Sequence, residues 1–402
     1  MREQSGSDHP ESDGSGRSYP VRLGFLPESH AIPDPERPGR RRAGSRTAAP
    51  YGDDRVEVHD CPAVDLDQFD PGGLDLLSAG FDTVDLSALE PLQQVCARVL
   101  AAGRIDDEDA TAVRSALLGA VLPTGHGPDL EVLYLADEGF IMRTAGPNGL
   151  QLVGPRSVGM NGHGQATSVH VDQDVEGTPL AQLMDGRAPS LFVHESPDGS
   201  CRDAGMLLVN LWIPLRQVVQ PLVLADGRTV DRRRHQLRYG LPTGSFLDRD
   251  EDQVVNDIYT LLHDPGQRWY LRSELDHRRG LVFNTLSTPH GAGVLPGEDV
   301  AERCYLMLEA AELAVAEGDP GRLEEVVRET SSVQPPRGTT PSLLRAITVM
   351  LDLLQQAGSD AAGVCGGGAA AWTAAAQAAR STVVRSSLEL RMVVSARSEV
   401  PA

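Results

Sequence analysis

Positive charge is scarce in this 402-residue chain: 36 basic residues stand against 57 acidic ones, a formal net charge of −21. A chain so acidic has no broad cationic surface for neutralising phosphates, which excludes nucleic acid and anionic membrane as principal partners. It leaves room for anionic small substrates, because a local arginine pocket can sit in an acidic protein. No apolar run reaches the roughly 18 residues of a membrane-spanning helix. The opening stretch, Met1 to Gly16, is polar and lacks the apolar core of a secretory signal. Cysteines are few, odd in number and widely spaced (Cys61, Cys96, Cys201, Cys304, Cys365). That spacing offers neither a zinc set nor a disulfide framework, so the expectation is reduced thiols and a cytoplasmic location.

What remains is a globular composition, 40% apolar and 23% charged, long enough to bury a large core. Residues 1–50 are rich in Ser, Gly, Pro and Arg and predict a disordered tail. Residues 51–155 mix helices and strands. Apolar residues at helical spacing over Leu86 to Leu100 follow a possible cap in Asp85-Leu86-Ser87, and Asp107 to Leu118 has an acidic first turn. Glu131 to Leu135 and Gly139 to Arg143 read as strands. Residues 156–312 hold short apolar runs between Gly, Pro and Asp turns: Ser168 to Val171, Met206 to Leu215, Pro221 to Ala225, Arg268 to Arg272, Gly280 to Thr285 and Arg303 to Glu309. Strands at that spacing suggest a sandwich or barrel, interrupted by one helix over Asp250 to Leu262. Residues 313–357 predict two helices, Arg322 to Arg328 and Ser342 to Gln356. Residues 358–402, glycine-rich and then alanine-rich, predict a poorly ordered end, with Ala369 to Ala379 helical on propensity alone.

The chemistry concentrates at His170-Val171-Asp172 and, 118 residues after Asp172, at His290 within Ser287-Thr288-Pro289-His290-Gly291. On a strand, alternate side chains share a face, so His170 and Asp172 point to one centre while Val171 turns into the packing behind. Two histidines and a carboxylate from separate strands form one face of an octahedron and leave the opposite positions open, the pattern of non-haem iron(II) sites. His163 lies just upstream, between two glycines, and fits a supporting or covering role. Asn210 and Trp212 share one face of the Met206 to Leu215 strand. The asparagine could hydrogen-bond a substrate and the tryptophan wall its pocket, or both could be core. The cluster Arg232, Arg233, Arg234 and Arg238 could bind an anionic substrate, but reads first as a solvated loop that balances the acidic run Asp248 to Asp252.

Further blocks give these residues a context: Val209-Asn210-Leu211-Trp212-Ile213-Pro214-Leu215, Pro221-Leu222-Val223-Leu224-Ala225-Asp226 and Arg268-Trp269-Tyr270. With His170-Val171-Asp172-Gln173, they resemble, in order, the motifs of the bacterial and fungal oxygenases that include the cephem 7-methoxylase component and gibberellin desaturase-like proteins. That family is similar to the wider iron(II)- and 2-oxoglutarate-dependent superfamily. The resemblance spans about residues 160–312; Ile213 stands where a basic residue is expected, and the insert Arg228 to Asp252 has no counterpart. It implies a mainly β protein with flanking helices (α+β) and a double-stranded β-helix, or jelly-roll, core. It also implies iron(II) on His170, Asp172 and His290, with 2-oxoglutarate and dioxygen as cosubstrates, and Arg303 gripping the far carboxylate of 2-oxoglutarate. The function implied is oxidation of a C–H bond of a small molecule, in natural-product biosynthesis. Two other classes compete: a jelly-roll binding protein without turnover, and a hydrolase with zinc on the same three ligands.

Overall fold

The computed structural model describes residues 18–34, 38–43, 56–136, 140–152, 159–166, 168–172, 206–216, 218–242, 255–285 and 287–396. Its strands, in chain order, are β1 (Ser18–Phe25), β2 (Ala31–Pro33), β3 (Arg41–Ala43), β4 (Glu57–Asp65), β5 (Phe81–Asp85), β6 (Val121–Leu122), β7 (Leu130–Leu135), β8 (Ile141–Ala145), β9 (His170–Val171), β10 (Met206–Arg216), β11 (Leu222–Ala225), β12 (Gln236–Pro242), β13 (Val255–Leu261), β14 (Trp269–Leu271), β15 (Arg279–Asn284), β16 (His290–Ala292) and β17 (Arg385–Ala396). They form two sheets. One runs β1-β4-β14-β11-β16-β9-β13-β12-β3-β2; the other runs β5-β15-β10-β17-β7-β6, with β8 also paired to β17. Most pairings are antiparallel, while β4 with β14 and β3 with β12 are parallel.

The inner faces of the sheets meet. Leu222, Leu224 and Tyr270 of the first sheet pack in one cluster with Phe81, Trp212, Leu281 and Phe283 of the second. Helices cover both outer faces, since each sheet carries a second apolar side that needs a partner. Helices Glu298–Glu317, Pro341–Ser359 and Ala369–Thr382 share a core with Tyr19, Val21, Leu23 and Phe25 of β1 and with Val169 and Val171. Helices Glu90–Ala102 and Asp107–Leu117 pack on Val209, Leu211 and Ile213 of β10 and Leu388, Leu390 and Met392 of β17. The chain is thus mainly β with flanking helices. Among the described residues, no helix is long and apolar enough to cross a membrane.

Four expectations need correction. Arg303 to Glu309 is not a strand; it lies inside the helix Glu298–Glu317. Ala301, Cys304, Tyr305, Leu308 and Ala311 are buried at helical spacing, and Gly297 (φ 94°) and Gly318 (φ 67°) bracket the run in the left-handed conformation that glycine adopts without strain. The helix expected over Asp250 to Leu262 is instead β13, from Val255 onward; residues 250–254 lie outside the described residues. Pairing to β12 on one side and β9 on the other outweighs a chance helical spacing of apolar side chains.

The remaining two concern the ends. The segment 358–402 is ordered as helices and strand as far as Ala396. Trp372, Ala376 and Ala379 are buried in the helical layer, with the Trp372 indole N–H donating to the Leu353 carbonyl (3.2 Å), so tertiary packing supplies what propensity could not. β17 then runs through the second sheet between β10 and β7. In the segment 1–50, Ser18 to Phe25 is a strand that hides every second side chain, paired along its length with β4; residues 1–17 lie outside the described residues.

One buried carboxylate ties the helical layer to the sheet. Glu298, wholly buried at the start of its helix, accepts backbone N–H bonds from Leu295, Gln220 and Asn148 (2.9, 2.8 and 2.8 Å). Burial outweighs these donors and pushes its carboxyl up to about 7. A carboxyl raised in the folded state favours folding below its unfolded value and loses that contribution as pH rises through 7. The cost to the ionised form is about 3 kcal/mol from a shift of this size. Glu298→Gln is therefore expected to flatten the fall in unfolding free energy between about pH 5 and 8, read by urea denaturation at a series of pH values. A slope equal to that of the wild type would remove Glu298 as its source.

Candidate metal centre

β9 and β16 lie side by side in the first sheet, with His170 directly opposite His290. On the other flank of β9, Thr260 of β13 stands opposite His170. Val171 packs outward with the helices, so His170 faces the space between the sheets, as its alternation requires. The turn before His290 is pinned by Gly80 (φ 93°), whose carbonyl accepts the Asn284 amide (2.9 Å) and the Thr288 hydroxyl (2.7 Å). Asp172 follows β9 at a bend.

Both imidazoles are held in the same way. Nδ1 of His170 lies 2.9 Å from the Ser168 carbonyl, and Nδ1 of His290 lies 2.9 Å from the Thr288 carbonyl. A carbonyl only accepts, so Nδ1 carries the proton in each ring and Nε2 presents a lone pair. The two Nε2 atoms lie 3.4 and 3.7 Å from Asp172 Oδ1. Ligands at about 2.1 Å from one ion, set at right angles, stand roughly 3.0 Å apart. The observed spacing is within a small adjustment of that figure. Among the described residues, this is the group of His, Cys, Asp or Glu side chains that converges closely enough to hold a metal.

Electrostatics hold Asp172 and His290 in the forms that could bind a metal. Burial works against ionisation of Asp172, but the neighbouring His290 and His170 rings and the Arg391 guanidinium outweigh it and hold the carboxyl well below the usual range. His290 is pushed down to about 4, first by burial and then by His170, with Asp172 pulling the other way. At neutral pH the site therefore offers a neutral His290 imidazole and an ionised Asp172 carboxylate.

The other sequence-derived candidates fall differently. Asn210, 5% exposed, donates its side-chain amide to Asp172 Oδ2. Trp212 is buried in the inter-sheet cluster, with the Arg385 guanidinium 5.4 Å from its ring centre. Arg303 does not join them. It sits on the exposed side of the helix Glu298–Glu317, bonded to Ser332 Oγ (3.1 Å). That helix packs on the Val171 face of the sheet, so the sheet separates Arg303 from the triad. His163 is half-buried, its backbone bridged to Arg143, and burial and that arginine lower its pKa. In the cationic cluster, Arg238 pairs with the buried Asp34 (3.4 Å); the acidic run at 248–252 lies outside the described residues.

The arginines that do face the interior come from β8 and β17. Arg143 pairs with Glu389 (2.7 Å), and Arg391 lies 4.0 Å from Asp172 Oδ2. Arg385 is wholly buried, donates to the Gln220 carbonyl (3.1 Å) and to Ser387 Oγ (3.4 Å), and has its closest carboxylate, Glu389, at 3.8 Å. Its Nε has no hydrogen-bond partner, and burial lowers it to about 10. None of these residues of β17 is among the sequence-derived candidates, because β17 falls in the segment expected to be poorly ordered. The signal was available: Arg385, Ser387, Glu389 and Arg391 alternate with Ser386, Leu388, Leu390 and Met392.

No family model and no curated protein matches this chain. Among solved structures it is similar to an iron and alpha-ketoglutarate-dependent endoperoxidase, NvfI, at 13% identity and a TM-score of 0.43, over 94% of this chain and 98% of that one. The same endoperoxidase in a different conformation aligns over 94% and 98%, at 14% identity and a TM-score of 0.41.

Proposed function

We propose that this chain is an iron(II)- and 2-oxoglutarate-dependent oxygenase acting on a C–H bond of a small molecule, with its metal site inside a double-stranded β-helix. The observation that carries the reading is the convergence of two Nε2 lone pairs on Asp172 Oδ1 in the space between two facing sheets. Two nitrogens and one oxygen on a single face suit iron(II) and leave room for exchangeable ligands. Bound iron(II) would couple loss of carbon dioxide from 2-oxoglutarate to oxidation of the substrate by dioxygen.

The chain's own residues have separable tasks. His170, His290 and Asp172 hold the ion. Arg385 with Ser387 is the choice for the far carboxylate of 2-oxoglutarate, in place of Arg303. Arg143 already has a close carboxylate, and Arg391 stands beside a metal ligand. Arg385 is a buried guanidinium whose Glu389 partner stands off at 3.8 Å and whose Nε has no hydrogen-bond partner, and a carboxylate arriving in two-pronged geometry would add to that pairing. Trp212 and Phe283, buried on the inner face of the second sheet, keep water from the reacting centre.

The test is anaerobic addition of 2-oxoglutarate to iron(II)-loaded protein. We expect a visible charge-transfer band, followed by succinate formation on admitting air. No band and no succinate, with ester or amide hydrolysis on zinc loading, would establish the hydrolase instead.

A further inference from the structure

We propose that Asn210 and Arg391 form an anchor for the outer oxygen of Asp172, fixing it as a one-oxygen ligand, and that Asn210 serves this purpose and not substrate contact. The inference rests on the metal-centre reading above and extends it from the ligands to the residues that orient them.

Asp172 lies at a bend just past β9, so the strand that positions His170 constrains it less. The constraint comes from the opposite sheet. Asn210 of β10 and Arg391 of β17 are direct cross-strand partners, and both project into the space between the sheets. Oδ2 receives the Asn210 amide N–H and has the Arg391 Nη2 at 4.0 Å, while Oδ1 faces the two imidazoles. The amide must turn its nitrogen to the carboxylate, because its oxygen would be repelled there. With Oδ2 occupied, the carboxylate cannot rotate to offer both oxygens to an ion. A chelating carboxylate would take a second coordination position, one that a cosubstrate needs. Asn210 and Arg391 are thus positioning residues, and they tie the metal site to both sheets.

The experiment is cobalt(II) titration of the metal-free full chain, followed by its visible spectrum. Asn210→Ala is expected to weaken cobalt binding roughly 10- to 100-fold, the usual cost of losing a partner of a metal ligand, and to alter the band pattern as the carboxylate swings free. In an Asp172→Ala background, the same change should have no further effect on affinity. A purely packing role would lower thermal stability, leave the spectrum unchanged and add fully to Asp172→Ala; that pattern overturns the proposal. Should Asn210→Ala fold poorly, Arg391→Met carries the same spectral test, with Arg391→Lys expected to restore the wild-type bands. Wild-type protein that binds no cobalt would overturn the metal centre itself, an outcome distinct from loss of the anchor alone.

Discussion

Asp172→Ala is expected to abolish iron-dependent consumption of 2-oxoglutarate. On the proposed reading Asp172 supplies the one anionic ligand, and the Nε2 atoms of His170 and His290 meet at its Oδ1. Without it, two imidazoles remain to hold a divalent ion, with Arg391 nearby and uncompensated by this carboxylate. Loss of one of three protein ligands costs at least about 4 kcal/mol of metal binding, or nearly a thousandfold at a given iron concentration. Succinate release and iron content, measured together after anaerobic loading, check the prediction. His290→Ala should behave similarly, since His290 faces the same oxygen from a separate strand. Succinate formation within tenfold of wild type in either variant, at unchanged iron content, would dismiss the triad.

How far the sequence discloses this site follows from the range of the interactions that build it. His170 and Val171 are local: period-two alternation sends Val171 outward and His170 inward, as the structure has it, while Asp172, at the bend that follows, is held from the opposite sheet. His290 is legible for a similar reason, because it follows an apolar strand and a turn. Arg303 was misread because Arg303 to Glu309 is an apolar stretch short enough to pass for a strand, while the helical spacing of its buried residues emerges only over the twenty residues from Glu298 to Glu317. β17 was missed for a different reason. A glycine-rich break and an alanine-rich run precede it, and neither shows that the chain will return to cross the middle of a sheet. Arg385 to Ala396 pairs with β10 on one side and with β7 and β8 on the other, and contacts of that separation leave no local trace. Composition offers no help in choosing among arginines either, since the 36 basic residues of this chain include no lysine.

That return strand sets up the second large effect. Arg385→Met is expected to raise the 2-oxoglutarate concentration needed for turnover by roughly thirtyfold to a few thousandfold, from the 2–5 kcal/mol typical of truncating one partner of a buried charge pair. Iron binding should be retained, because Arg385 touches Gln220, Ser387 and Trp212 and none of the three ligands. Arg385→Lys should recover little: an ammonium keeps the charge but not the planar fork that meets a carboxylate with two parallel bonds. Arg303→Ala, on the far side of the sheet, should leave the requirement within about twofold, as expected for an exposed side chain whose recorded bond is to Ser332. The two arginines therefore exchange predictions. A cosubstrate requirement that rises with Arg303→Ala and not with Arg385→Met would place the dicarboxylate outside the sandwich, and with it the reacting centre. The opposite result puts the far carboxylate between the sheets, beside the buried Trp212 and Phe283, where Glu389 comes no nearer to Arg385 than 3.8 Å.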